Sequence, residues 1–345
     1  MRHALREADD ARPLRTALRR PLEIALVNNM PDAALLATER QFAGLLTEAA
    51  GEVFDVTLRL YALAEVPRSE LARAAMQDRY AGMDALEARG ADAVIVTGAE
   101  PKADDLRDEV YWPELASLID WARRGTCSAL FSCLAAHAAA LHLDGIERRR
   151  LPAKASGVFT FERLAKSPLT RGLGGAVRTP HSRYNALPLE ELTAHGYEVL
   201  THSAGAGVDV FTRRDESLLV FLQGHPEYDA DSLLREYRRD IGRCLRGERP
   251  FPPRPLGYFD APTERALEAL AQQARTGGDV EPLRRSDEIA SAYRPSAPWR
   301  TQAVRLYRNW LEQVAAAKAE RAVSSIMARR LELTAEPLEH LGQAG

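Results

Sequence analysis

The sequence predicts an α/β protein with a doubly wound, mainly parallel sheet, flanking helices and a C-terminal helical extension. Short apolar runs end in polar or turn-forming residues in "PLEIALVNN" (21–29), "ADAVIVTGAE" (91–100) and "CSALFSC" (127–133), a pattern typical of buried strands. Segments with apolar residues at helical spacing lie between these runs. Such alternation favours a parallel sheet covered by helices on both faces.

The first half of the chain contains these elements in order. The strand at 21–29 precedes a helix in "DAALLATERQFAGLLTEAA" and an alternating strand in "FDVTLRLYAL". "ALEARG" is the end of a second helix, before the strand at 91–100, and "VYWPELASLIDWARRGT" is a third helix, before 127–133. Residue 133 therefore lies where a strand becomes a helix, because "LAAHAAALHL" follows it and "DGI" is a plausible helix stop.

The second half begins with residues 151–192, which are predicted to be rich in loops and contain "PAKASGVFTFE" and "TPHSRYN". Three strand-like runs with short turns follow, namely "YEVLTHS", "VDVFTRRD" and "SLLVFLQGHPEYD". "DADSLLREYRRDIGRCLRGE" is predicted to be a helix with an aspartate cap.

The composition divides the chain into three parts. Residues 1–20 form an N-terminal arm, 21–250 an α/β core, and 251–345 a proline-rich connector with C-terminal helices that pack on the core. In the last part, "TERALEALAQQARTGG" is predicted to be one exposed helix, and "SAPWRTQAVRLYRNWLEQVAAAKAERAVSSIMARRLEL" one or two long helices. Trp299 and Trp310 fit helix packing better than ligand stacking.

Composition and charge exclude several classes of function. The 345 residues are 46% hydrophobic and 28% charged, which is ordinary for a soluble globular protein. The net charge of −3, with both signs interspersed, indicates neither a nucleic-acid nor a membrane partner. The first 20 residues lack the apolar run of a secretory signal, and three cysteines are too few for a disulfide framework or zinc site. We expect a cytoplasmic protein with small-molecule partners or a second copy.

Cys133 is the candidate nucleophile. At a strand-to-helix turn, the backbone N–H groups and the dipole of the following helix favour a thiolate and can hold an oxyanion. A nucleophile also needs a base, and "GHPEYD" places His225 and Glu227 after another strand. A carboxylate two residues from a histidine can orient its imidazole, which predicts the roles nucleophile, base and orienting acid.

A structural interpretation of these residues stays open. A lone cysteine among alanines is often a small core residue, and this alternative applies to Cys133 as well. Cys127 and Cys244 have no comparable partners and are predicted to be structural. His137, one helical turn after Cys133, is predicted to be a packed histidine rather than a catalytic one.

Several motifs together resemble the homoserine O-succinyltransferase family, a branch of the class I glutamine-amidotransferase-like fold that makes O-acylhomoserine for methionine biosynthesis. "PHSRY", "GHPEYDA" and the terminal "WR…NWL" are the most specific of them. The remaining pieces occur in family order over roughly residues 20 to 312: "RPLEIALVNNMP", "ATERQFAGLL", "VIVTGAEP", "EVYW", the cysteine turn and "PAKASGVF".

The resemblance implies a role for each matching residue. Cys133 corresponds to the acyl-thioester nucleophile, His225 to the general base and Glu227 to its carboxylate partner. Three further positions correspond to substrate-binding residues of the family, and these are Lys154, Ser182 and Arg239. An arginine suits an amino-acid carboxylate and a lysine an acyl carboxylate or carbonyl oxygen.

The implied reaction is a double displacement from acyl-CoA to homoserine, with no metal and no cofactor beyond acyl-CoA as co-substrate. The expected partners are succinyl-CoA or acetyl-CoA, L-homoserine and a second copy of the chain in a homodimer. The oxyanion is expected to bind main-chain N–H groups of Leu134 and of the turn at 97–100 or at 28–31.

The sequence also departs from the family pattern. Phe131 and Ala135 replace glycines on either side of the cysteine, and His137 replaces a glutamine. Lys102 occupies the position that separates succinyl from acetyl users, and a lysine there could pair with a succinyl carboxylate, which favours succinyl-CoA. Acetyl transfer, acylation of serine or another hydroxy amino acid, a glutaminase-type amidohydrolase and an inactive paralogue remain alternatives.

Overall fold

An eight-stranded sheet forms the centre of the molecule. The computed structural model describes residues 19–277 and 280–334. Its strands, in chain order, are β1 (Arg20–Val27), β2 (Phe54–Tyr61), β3 (Tyr80–Ala81), β4 (Ala93–Val96), β5 (Ser128–Ser132), β6 (Arg149–Arg163), β7 (Ala176–Ala186), β8 (Glu198–Val199), β9 (Thr201–Ser203), β10 (Gly207–Val208), β11 (Val210–Arg214) and β12 (Leu218–Leu222).

The large sheet has the order β3-β2-β1-β4-β5-β12-β11-β8. Its strands from β3 to β12 are parallel, and β11 is antiparallel to both of its neighbours. Strands β4 and β5 pair in parallel, and in their register Val96 of β4 lies beside Phe131 of β5. The predicted mainly parallel α/β architecture is confirmed.

Helices cover both faces of this sheet. The α-helices are α1 (Asp32–Ala50), α2 (Glu70–Met76), α3 (Met83–Arg89), α4 (Trp112–Gly125), α5 (Leu134–Asp144), α6 (Leu189–Ala194), α7 (Ser232–Leu245), α8 (Ala261–Gly277), α9 (Glu281–Ala292) and α10 (Arg300–Thr334).

Side-chain alternation along β1 shows how the two faces are filled. Leu22, Ile24 and Leu26 belong to one buried cluster with α1, α7 and α10. Ala25 and Val27 belong to the other, with α4 and α5. Because both faces are buried, the strand is apolar at almost every position, as expected for a parallel sheet between two helical layers.

A second sheet, of order β10-β9-β6-β7, occupies part of the segment 151–192. The prediction that this segment is rich in loops is therefore wrong. Strand β6 is 15 residues long and pairs with β7. Gly157, a loop signal in the sequence, has φ 146°, and a Cβ built there would lie 2.2 Å from the carbonyl oxygen of Leu256. That glycine allows the close approach of another backbone segment rather than a turn.

The C-terminal part of the chain packs on the central sheet. The connector pairs with β6 through Leu256, whose N–H donates to the carbonyl of Ser156 at 2.9 Å. Helix α8 is not simply exposed as expected, because Leu267 and Leu270 on one of its faces are buried. Helix α10 is one continuous helix.

Two tryptophans fix the start of α10. The indole of Trp299 donates to the carbonyl of Tyr228 at 3.1 Å, and that of Trp310 donates to Oγ of Ser128 at 2.9 Å. Both rings are buried, as their predicted packing role requires. The division into parts at residues 20 and 250 stays a prediction, and most of the N-terminal arm lies outside the described residues.

Candidate active site

The carboxyl ends of four neighbouring parallel strands form the site. Strands β1, β4, β5 and β12 lie side by side. The residues that follow them, Asn28, Thr97, Cys133 and Gln223, therefore emerge at the same edge of the sheet. In open parallel sheets this edge is where ligands bind.

Cys133 has a strained backbone. Its φ is 52° and its ψ is −110°, and it is the one non-glycine residue with positive φ in the described ranges. Its N–H donates to the carbonyl of Leu222 at 2.7 Å, and helix α5 begins at the next residue. Such a conformation costs of order 1–3 kcal/mol and is typical of functional sites. The turn holds the sulfur at the helix N-terminus despite Phe131 and Ala135, which replace the family's glycines.

His225 and Glu227 form a buried pair beside this cysteine. Nδ1 of His225 lies 2.8 Å from Oε1 of Glu227, and the imidazole also lies close enough to the Cys133 sulfur to interact with it. Burial by itself lowers the pKa of His225. The Cys133 sulfur and the Glu227 carboxylate outweigh burial and raise that pKa well above its usual value. The imidazole is therefore poised to carry a proton beside the Cys133 sulfur.

The ring of Tyr228 packs on this pair. Its centroid lies 4.3 Å from that of the His225 imidazole, with 16° between the planes. The Tyr228 hydroxyl donates to Oε1 of Glu236 at 2.6 Å. Tyr228 thus limits the orientations of the His225 ring, and sequence reasoning had given it no role.

The turn after β4 lies against the start of α5. A Cβ built on Gly98 would be 2.4 Å from Cβ of Leu134 and 3.2 Å from its backbone nitrogen. Any larger residue at 98 would collide, so glycine allows this turn to approach the Leu134 N–H. The other candidate turn, at 28–31, is instead held by Arg68, which donates to the carbonyls of Asn28 and Met30. The 97–100 turn is thus the better candidate for the second oxyanion donor.

Arg183 is a site residue that sequence reasoning missed. It is 4% exposed, and its Nε donates to Nδ1 of His181 at 3.1 Å. Burial lowers its pKa, whereas the nearby Cys133 sulfur and Asp209 raise it, so its guanidinium lies where it favours negative charge on that sulfur. Arg183 belongs to the motif "PHSRY", which is the sequence signal for it, next to the predicted Ser182.

The predicted substrate-binding residues come from two separate elements. Lys154 of β6 forms an ion pair with Asp240 of α7, at 2.7 Å between Nζ and Oδ2, with both side chains buried. Arg239 contacts the other oxygen of Asp240 at 3.3 Å but is half exposed. Ser182 lies on β7, next to β6. Asp240, which no motif suggested, therefore holds Lys154 in place.

All seven predicted site residues line one cavity of about 750 Å³, within the usual range for ligand pockets. Besides Cys133, His225 and Glu227, these are Lys102, Lys154, Ser182 and Arg239. Nine lysine or arginine residues and five acidic ones line it, so the wall is suited to an anionic ligand. Lys102 is exposed, and its backbone N–H donates to Glu109.

His137 is packed, in agreement with its predicted structural role. It is 3% exposed, and its Nε2 lies 2.9 Å from Oε1 of Gln223. Burial lowers its pKa to about 3, so the ring is neutral. Cys127 belongs to the core, and Cys244 packs at its margin.

The described residues contain neither a metal-binding cluster nor a membrane-spanning helix. No cluster of three or more His, Cys, Asp or Glu side chains within residues 19–277 and 280–334 could hold a metal ion. No helix in those ranges combines the length and apolarity needed to cross a bilayer.

Comparison with known proteins identifies the family. The family model "Homoserine O-succinyltransferase" matches residues 8–320. A homoserine O-succinyltransferase of Rhodopseudomonas palustris is 50% identical over 304 residues, which are 88% of this chain and 91% of that protein. The chain belongs to the homoserine O-succinyltransferase family. This membership confirms the predicted family and its enzyme class, an acyltransferase.

Further homoserine O-succinyltransferases are also similar. That of Methylorubrum extorquens is 48% identical, over 86% of this chain and 88% of that protein, and that of Bradyrhizobium japonicum is 46% identical, over 85% and 90%. Among solved structures, a glutamine amidotransferase of Methylobacillus flagellatus is 17% identical, covers 86% of this chain and 95% of its own, and has a TM-score of 0.48. The fold assignment rests on the sheet topology rather than on that likeness.

Proposed function

We propose that this protein transfers the succinyl group of succinyl-CoA to the hydroxyl of L-homoserine, in methionine biosynthesis, through a thioester on Cys133. The observation that carries this proposal is Cys133 on a strained turn, beside the buried His225–Glu227 pair, in a basic cavity. The curated relatives carry the name of this activity.

The first displacement forms the acyl-enzyme. The Cys133 thiolate attacks the thioester carbonyl, and the N–H of Leu134 with one from the 97–100 turn binds the oxyanion. The C–S bond to CoA breaks as the His225 imidazolium gives its proton to the departing sulfur. His225 is then neutral and Cys133 carries the succinyl group.

The second displacement regenerates the enzyme. Neutral His225 accepts the proton of the homoserine hydroxyl, whose oxygen attacks the acyl carbonyl on Cys133. The bond to sulfur breaks, and the thiolate returns beside the imidazolium. Arg183 stabilises that thiolate, while Glu227 keeps Nδ1 of His225 as the donor so that Nε2 faces the sulfur.

Substrate recognition uses the basic side chains of the cavity. Arg239 contacts Asp240 through one edge of its guanidinium but is half exposed, so its remaining N–H groups bind the homoserine carboxylate. Lys154 on β6 and Ser182 on the neighbouring β7 also bind the substrate. Lys102 pairs with the free carboxylate of the succinyl group, a contact that an acetyl group cannot make.

We also propose a homodimer in the cytoplasm. Cys127, Cys133 and Cys244 are free thiols, as a reducing compartment favours. Light scattering of the purified protein at several concentrations tests the dimer, and a monomer throughout would refute it.

Thiol release tests the reaction. Succinyl-CoA and acetyl-CoA are each supplied with L-homoserine, L-serine or no acceptor, to the wild type and to Cys133→Ala. We expect acceptor-dependent release from succinyl-CoA with homoserine, and none from the variant. A Lys102→Gln variant should lower the succinyl-to-acetyl preference.

The other outcomes of this assay are also decisive. Release with acetyl-CoA or serine would correct the donor or the acceptor and leave the nucleophile intact. No release with any pair, from protein shown to be folded, would refute the acyltransferase proposal, and glutamine hydrolysis would then be measured.

A further inference from the structure

Three cationic side chains surround the ring of Tyr184 in the cavity wall. The guanidinium carbon of Arg150 lies 4.7 Å from the ring centroid, Nζ of Lys154 5.7 Å and the guanidinium carbon of Arg249 5.9 Å. Arg249 also donates to the Tyr184 hydroxyl at 3.1 Å. These distances are those of cation–π contacts, so the ring arranges the three charges around itself. All four residues line the cavity that contains Cys133.

The charges of this cluster are not balanced. Lys154 is neutralised by Asp240 in a buried ion pair. Arg150 and Arg249 are exposed, and neither forms an ion pair with a carboxylate in the described part of the chain. Like charges gathered on one ring repel each other. A bound anion would relieve that repulsion and supply the missing partners.

We propose that Arg150 and Arg249, positioned by Tyr184, bind the phosphate groups of the acyl-CoA nucleotide. The guanidinium fork matches phosphate oxygens in a bidentate way, and CoA carries its phosphates at the end of the molecule remote from the thioester. The inference rests on the proposed function, because it assigns the two ends of one donor to two parts of the same cavity. The thioester lies at Cys133 and the nucleotide at Tyr184.

The anion could instead be a carboxylate of homoserine or of the succinyl group. The cluster differs from Arg239, which is assigned to the homoserine carboxylate, because Arg150 and Arg249 are paired with no acid in the described part of the chain whereas Arg239 contacts Asp240. It differs from Lys102, which is assigned to the succinyl carboxylate, because it presents two guanidinium groups on one ring. Two unpaired guanidinium groups on one ring fit a polyanion better than a single carboxylate. The experiment must therefore separate phosphate recognition from carboxylate recognition.

A series of acyl donors makes this separation. Succinyl-CoA, succinyl-dephospho-CoA and succinyl-pantetheine share the thioester and lose phosphates stepwise. For Arg150→Ala and Arg249→Ala, we expect the ratio of kcat/KM for succinyl-CoA to that for succinyl-pantetheine to fall about tenfold or more, as loss of a charged hydrogen bond implies. The KM for homoserine should not change. Arg214→Ala, which removes an exposed arginine on β11 outside the cavity, is the matched control.

Direct binding keeps this test independent of turnover. Calorimetric titration with CoA and with pantetheine should show weaker binding of CoA alone in the two variants, and higher salt should weaken CoA binding more in the wild type than in the variants. Tyr184→Phe should keep most of the affinity, whereas Tyr184→Leu should reduce it.

Two results would overturn the proposal. One is an equal loss for CoA and pantetheine, which would place the cluster at the thiol end or make it structural. The other is unchanged CoA binding in variants that keep the wild-type melting temperature. If the wild type binds CoA through the cluster but transfers no acyl group, the proposed function fails and the phosphate site stands.

Discussion

Two buried histidine–carboxylate pairs lie in this protein, and their histidines have opposite properties. In one, Nδ1 of His225 is 2.8 Å from Glu227, and in the other, Nε2 of His181 is 3.3 Å from Oδ1 of Asp209. The pKa of His225 is raised well above its usual value, whereas burial lowers the pKa of His181. Burial and a carboxylate are common to both, so neither explains the difference.

A third group beside each histidine explains the opposite directions of the two pKa shifts. His225 faces the Cys133 sulfur, which adds a second negative charge and favours the imidazolium. His181 instead accepts from the Arg183 guanidinium and lies 5.0 Å from the ring of Phe161, measured between centroids. Both histidines pack against an aromatic ring, so the charge of the third neighbour makes the difference, and a positive neighbour favours the neutral ring. A histidine–carboxylate pair thus becomes an acid–base device only beside a nucleophile.

The His181 pair has a structural task instead. Asp209 accepts from Oγ1 of Thr179 at 2.8 Å and from the N–H of Gly224 at 3.0 Å. It thereby ties β7 to the turn that carries His225. A Cβ on Gly224 would lie 2.6 Å from Nε2 of His181, so this glycine permits the close packing of the two regions.

Removing the nucleophile should have the largest effect. We expect Cys133→Ala to reduce acceptor-dependent CoA release by about 10⁴-fold or more. It should also lower the pKa of His225, because one of the two negative partners is lost, and NMR titration of the imidazole measures that shift. Cys127→Ala, which changes a core cysteine, is the control. Comparable activity in the two variants would exclude the thioester.

Neutralising the Glu227 carboxylate should have the second-largest effect on activity. We expect Glu227→Gln to reduce kcat/KM for succinyl-CoA by about 10² to 10⁴-fold. The Glu227 charge raises the pKa of His225, so its loss lowers that pKa and the imidazolium disappears at lower pH. The basic limb of the pH–rate profile should therefore move to lower pH. An unmoved limb would contradict the assigned pairing.

The equivalent change in the other pair should affect stability rather than this pH profile. Hydrogen bonds to a charged group are worth about 1.5–3 kcal/mol each, and we expect Asp209→Asn to lower the free energy of unfolding by about 3 kcal/mol because the bonds from Thr179 and Gly224 are only partly retained. Urea unfolding measures this loss. The folded variant should keep the wild-type basic limb, and a shift like that of Glu227→Gln would show that the two pairs are coupled.

The sequence predicts the central sheet well because local patterns specify its strands. Strand β4 (Ala93–Val96) is apolar throughout, since it is buried on both faces, and it ends in a recognisable turn. Strand β6 is different, because its Lys154 and Gly157 are set by distant partners, Asp240 and the Leu256 backbone. No local pattern contains those contacts, so the second sheet was missed.

The candidate active site likewise contains residues that local sequence patterns predict and residues that only tertiary contacts explain. Cys133, His225 and Glu227 follow strand ends and were predicted from position and residue type. Arg183 and His181 lie on β7, whereas Cys133 lies at the start of α5, and only the folded chain brings the Arg183 guanidinium close to the Cys133 sulfur. Opposite protonation of two histidines in similar buried pairs is likewise a property of tertiary neighbours.

A third buried histidine offers the smallest and most specific test. Since the pKa of His137 is lowered to about 3 from an ordinary value of 6.5, the unfolded chain binds a proton below pH 6.5 that the folded protein does not. Stability contributed by this group is thus complete above that pH and is lost as the pH falls towards 3. From pH 7 to about pH 5 the loss should be about 2 kcal/mol.

His137→Gln should remove this dependence, because a glutamine amide still donates to Gln223 but does not titrate. Between pH 7 and about pH 5 the unfolding free energy of the wild type, measured in urea, should therefore fall by about 2 kcal/mol more than that of the variant, whatever their difference at neutral pH. His195→Gln, which changes an exposed histidine, is the matched control. Parallel pH profiles of unfolding free energy for His137→Gln and the wild type would contradict this prediction. They would mean that burial does not keep the His137 ring neutral in the folded protein.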